Sequence, residues 1–113
     1  MDRVPITVDQ AIAMFVEALD DDEKKTFKDI GEGQIALFHH TFGAEIRNCW
    51  SLHEPNTWLT NSFKEIGITH ADDMSGIIMI SAKRFLSKKP MNIESQVNKY
   101  KKYWQKEIGK PMP

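Results

Sequence analysis

A single cysteine, Cys49, excludes an intrachain disulfide framework, so nothing in the fold depends on an oxidising compartment and a cytoplasmic location is expected. Long apolar runs are missing too. The longest, "GIIMI" at 76–80, is far below the roughly 20 residues of a membrane-spanning helix, so no membrane partner is expected. The leading "MDRVPITVDQ" has acids and a proline in place of a basic region followed by an apolar run, which argues against a signal or transit peptide. Strict polar–apolar alternation, the mark of a half-buried strand, never extends beyond a few residues.

Catalytic motifs are equally scarce. The chain has no CxxC, no HExxH, no Gly-rich phosphate loop, no nucleophile elbow and no dinucleotide fingerprint. Asp72 and Asp73 are adjacent acids, but neighbours on a helix point about 100° apart, which argues against their flanking one scissile bond together. Cys49 and His53 stand four apart, with His39, His40 and His70 elsewhere, a weak pattern for a metal site. The expectation is a protein without turnover, resident metal or cofactor, with a metal-dependent hydrolase as the most distant alternative.

What the chain does have is helical periodicity. With 113 residues, 41% of them hydrophobic, it can bury a continuous core as one all-α domain, a compact bundle of five to six helices spanning residues 1–113. Thr7 to Gln10 has the form of a capping box before Val8, Ile12, Phe15 and Leu19, and the acidic run Asp20 to Glu23 opens a second helix that stops near Gly31 to Gly33. A third helix is predicted from about Gln34 to Leu52, with Ile35, Phe38, Phe42, Ile46 and Cys49 on one line. Asn56 or Thr57 caps a short helix ending at Gly67, whose freedom suits a left-handed residue.

Thr69 or His70 caps the next helix, with Asp72 and Asp73 at its positive end and basic residues at its negative end. Its stripe is Met74, Ile78, Ser81, Ala82 and Phe85; Ile77, Met79 and Ile80 spread apolarity around the axis, which predicts a central position. Asn92 caps a last amphipathic helix, 92–108, with Ile93, Val97, Tyr100 and Trp104 inward and Lys99, Lys101, Lys102 and Lys106 outward, ended by Gly109 and Pro111. Residues 83–113 hold nine Lys/Arg against two acids, a net +7, whereas residues 1–82 carry −8. "YKKYW" interleaves bases with aromatics, but the phase turns Tyr100 and Trp104 inward, so specific nucleic-acid binding is not expected.

The candidate binding surface lies in "GAEIRNCWSL", residues 43–52. Gly43 costs a helix about 1 kcal/mol relative to Ala, so something is expected to approach the backbone there, with Arg47 and Trp50 flanking a notch. A guanidinium forks onto phosphate oxygens and an indole offers a stacking face, a combination suited to a phosphate joined to a flat base. The structural alternative explains the same residues: Gly43 admits a neighbouring helix, Trp50 fills the core, and Arg47 pairs with Asp72 or Asp73. Residue types alone leave both open.

Three stretches, "PITVDQAI" (5–12), "IRNCWSL" (46–52) and "FKEIGITHADDMSGII" (63–78), carry a resemblance. Together they resemble an uncharacterised small all-helical domain family of bacteria and phages, with Ile-Arg-Asn-x-Trp and Asp-Asp-Met-Ser motifs, over about residues 5–90. His53 stands where that pattern has tryptophan, and Ala71 where it has proline. The resemblance brings Arg47, Asn48, His70 and the Asp72–Asp73 pair together as a polar network or a pocket wall, and the phage connection suggests sequestration of an immune signal.

The functional expectation is a non-catalytic protein that captures a small phosphate-bearing, nucleotide-type ligand through Arg47, Trp50, Asn48, Gly43, His40 and His70. A helical protein-interaction module, acting as inhibitor or adaptor on a protein partner, is the alternative. Met14, Met79 and Met91 offer adaptable apolar surface for a homodimer.

Overall fold

The computed structural model describes residues 3–108, with side chains to Lys106. The terminators expected at Gly109 and Pro111 lie outside the described residues. The fold is all-α, with α1 (Val8–Ala18), α2 (Asp21–Asp29), α3 (Ala44–Cys49), α4 (Trp58–Glu65), α5 (Ala71–Leu86) and α6 (Ile93–Tyr103). A 3-10 helix (Glu32–Phe38) and a π-helical turn (His39–Gly43) lead into α3, and a second π-helical turn (Trp104–Ile108) continues α6.

The helix starts follow from local chemistry. Thr7 Oγ1 accepts from the Gln10 amide at 3.1 Å, Asp20 and Glu23 cap each other's amides, and Thr57 accepts from the Thr60 amide at 3.0 Å. His70 caps α5 through Nδ1, which accepts from the Asp72 amide at 3.2 Å, and Asn92 caps α6. Gly67, at φ +93, closes α4: its amide bonds the Lys64 carbonyl and the next amide bonds Phe63, the paired pattern of a left-handed helix stop.

Helix α5 is the central element, packed by α1, α2, α3 and α6, with Ile77, Ile78 and Ala82 fully buried. Phe27 of α2 is also fully enclosed, edge-on to Phe15 at 5.5 Å and to Phe42 at 5.2 Å. Burying such a ring contributes about 1.5–3 kcal/mol, and truncation to alanine would cost about 3–5 kcal/mol.

The continuous helix expected over 34–52 is replaced by three windings in succession. A 3-10 helix turns about 120° per residue against 100° for an α-helix, and a π turn advances less, so the apolar line drawn at constant phase drifts. Phe38 and Phe42 still meet, at 5.3 Å, on the Phe27 ring. Beyond the π turn, however, Ile46 and Trp50 face inward and Cys49, expected in the core, is exposed. Phe85, placed on the α5 stripe, is also exposed. Met79, offered as interface, is buried, and Met14 and Met91 pack partly buried against the same core.

Candidate functional site

Arg47 is turned inward and closed over. The residue is 7% exposed: Nη1 donates to Ser75 Oγ at 2.9 Å and Nη2 to the His39 carbonyl at 2.9 Å, while Nε lies 3.6 Å from Asp72 Oδ1. The Ser75 hydroxyl in turn donates to the Asp72 backbone carbonyl at 3.0 Å. At a constant 100° per residue from Ile35, Arg47 would point away from the apolar line; the change of winding turns it inward.

Gly43 explains why the group fits. A Cβ there would stand 2.9 Å from Arg47 Nη1, 3.3 Å from Met79 Cε and 3.3 Å from the Phe38 carbonyl oxygen. The bare backbone therefore receives Arg47 itself and Met79 of α5, and the expected notch is filled from within. Trp50, the other flank, is 1% exposed and belongs to the core, with its indole N–H unpartnered among the described residues. Asn48 and His40 are exposed, and the His40 ring meets His39 edge-on at 4.8 Å.

Asp72 links this network to open space. One side faces Arg47, with His39 Nε2 at 3.8 Å and His70 Nδ1 at 3.9 Å. The other borders two adjoining cavities, one of about 480 Å³ between the start of α5 and α6 and one of about 490 Å³ between α5, α6 and the 3-10 and π segment. Lys99 and Tyr100 of α6 border both; His39, His40 and Gly76 line one, and His70, Asp73, Tyr103 and Trp104 the other. Both acids of the pair thus reach one cavity despite their angular separation, because α6 spans the gap between them.

The second cavity is walled by aromatic rings. Trp104 Nε1 donates to Asp73 Oδ2 at 2.9 Å, its ring lies 5.4 Å from His70, and Tyr103 stands edge-on to it at 5.5 Å. Asp73 is 9% exposed, and burial raises its carboxyl above the ordinary range. The Tyr100 hydroxyl occupies the space a Cβ on Gly76 would need, 2.5 Å away, and burial with the nearby Asp73 charge pushes its pKa up to about 12. Among the described residues, no three of His, Cys, Asp and Glu converge as a metal site.

Residues 4–86 match the domain of unknown function DUF6794. The chain belongs to this family. No curated protein and no solved structure matches it. The DUF6794 match covers α1 to α5 and so includes His70, Asp72 and Asp73, whereas Lys99, Tyr100, Tyr103 and Trp104 lie beyond it. Of the residues expected to bind ligand, only His70 borders the aromatic cavity and only His40 the neighbouring one. Sequence reasoning missed Lys99, Tyr100, Tyr103 and Trp104 as candidate site residues; "KYKKYW" at 99–104 was the available signal.

Proposed function

We propose that this DUF6794 protein is a non-catalytic binding protein whose ligand occupies the cleft between the first turn of α5 and α6. The observation that carries the reading is the Asp73–Trp104 pair, a buried carboxylate held at 2.9 Å by an indole on the wall of a cavity of about 480 Å³. Concave, largely apolar and aromatic surface with a small number of placed polar groups is the usual make-up of a small-molecule site. Asp72 is compensated by Arg47, and Asp73 accepts from Trp104. Holding a signal molecule without transforming it requires a site of this kind and no turnover.

A phosphate-bearing nucleotide stays in the ligand panel, although the guanidinium first expected to hold its phosphate is engaged by Ser75 and His39. Isothermal titration of nucleotides, amines and neutral aromatics tests the reading. A saturable ligand that moves the Trp104 indole N–H resonance, and weakens about tenfold on Tyr103→Ala, supports it. A panel that leaves that resonance still sinks it.

The protein-interaction reading has one observation in its favour: Trp58, the first residue of α4, is 78% exposed. Exposed tryptophans are frequent interface anchors. Should the cleft prove empty of ligands, loss of partner binding on Trp58→Ala without loss of melting temperature would favour this second reading.

A further inference from the structure

We infer that the aromatic cavity beside Asp73 takes an organic cation, a quaternary ammonium or amine head group, and this rests on the cleft being a ligand site. Asp73 is nine-tenths buried, yet among the described residues no cationic side chain forms a salt bridge with it; its contact is the neutral indole N–H of Trp104. Buried charges in proteins are ordinarily paired. Here the missing partner would come from outside, through a cavity whose walls are the rings of His70, Tyr100, Tyr103 and Trp104.

Those walls favour the same sign of charge. The faces of tyrosine and tryptophan carry the negative lobe of the ring quadrupole and attract a cation held over them. A phosphate in this cavity would instead meet Asp72 and Asp73, with Lys99 as the one Lys or Arg among the described lining residues. Asp72 is already balanced by Arg47 at 3.6 Å, which leaves Asp73 as the counter-charge. Lys99 opposes the cation, but its side chain is exposed and free to swing to solvent.

The contrast with a phosphate ligand therefore rests on Lys99 and Asp73, whose replacements must act in opposite directions. Choline and tetramethylammonium are titrated into the full chain alongside 3,3-dimethylbutan-1-ol, the uncharged counterpart of choline, and adenosine monophosphate. Affinity is read by calorimetry and by the Trp104 indole resonance. The cations should bind at least about tenfold more tightly than the alcohol. Asp73→Asn keeps an oxygen for the Trp104 N–H and should remove most of that difference, Tyr103→Ala, at an exposed ring, should weaken choline severalfold, and Lys99→Gln should leave it unchanged or tighter.

If the alcohol binds as well as choline, or if adenosine monophosphate binds and Lys99→Gln abolishes it, the cation inference is overturned while the cleft remains the ligand site. If none of the four moves the Trp104 resonance, the inference falls; silence across the wider panel removes the ligand site as well.

Discussion

Arg47 Nη1 and Ser75 Oγ lie 2.9 Å apart and join α3 to the first turns of the central helix α5. The bond is buried, and the same guanidinium holds the His39 carbonyl. Arg47→Ala would leave that carbonyl and the Ser75 hydroxyl without this donor and open a void, at an expected cost of about 2–4 kcal/mol. Chemical denaturation measures it; a loss below half a kcal/mol would mean that the network is dispensable.

Gly43→Ala should also destabilise, by about 1 kcal/mol net, since the better helix propensity of alanine is outweighed by crowding. The crowding atom at 2.9 Å is Arg47 Nη1. The two substitutions must therefore couple: in an Arg47→Ala background the Gly43→Ala penalty should shrink or change sign. Strict additivity in the double-mutant cycle would contradict the observed packing.

Gly76 and Tyr100 make a second pair of this kind. A methyl at Gly76 would lie 2.5 Å from the Tyr100 hydroxyl oxygen but 3.6 Å from the ring carbon that bears it. Gly76→Ala alone is expected to displace α6 and lower the melting temperature by several degrees. Adding Tyr100→Phe should restore most of the loss, since the remaining contact is an ordinary one. Failure of that rescue would show that α6 is not seated on Gly76.

Tyr100 also predicts an alkaline limit. In the unfolded chain a tyrosine loses its proton near pH 10, whereas here burial, with a smaller contribution from Asp73, holds it to about 12. The native state thus binds more protons between those values. Its stabilisation is complete below pH 10 and is lost as pH rises toward 12, on the order of 2 kcal/mol in all. The stability of Tyr100→Phe should fall less steeply over that window; parallel profiles for the two proteins would refute the assignment.

Asp73 acts in the same sense at the acidic end. Its folded pKa is raised chiefly by burial, so the contribution is present below the ordinary carboxylate range and lost as pH rises through the raised value. Asp73→Asn, which keeps the acceptor for Trp104, should melt higher than the parent at neutral pH and equal to it or lower in acid. The reverse order would mean that an unseen cation already compensates the carboxylate.

The chain's own order of residues determined what depends on near neighbours. Thr7, Asp20, Thr57, His70 and Asn92 each cap a helix by reaching an amide two or three residues on, so these starts are legible without knowing the fold. The all-α class and the central place of α5 follow from periodicity in the same way. Which way residues 34–52 face was decided only by tertiary packing, because Phe27, Ser75 and Met79 from distant segments accompany the switch through 3-10 and π windings that turns Arg47 inward and Cys49 out. The cleft is likewise tertiary: Asp73 and Trp104, 31 residues apart, share a wall only where the Tyr100 hydroxyl settles over Gly76 and brings α6 onto α5.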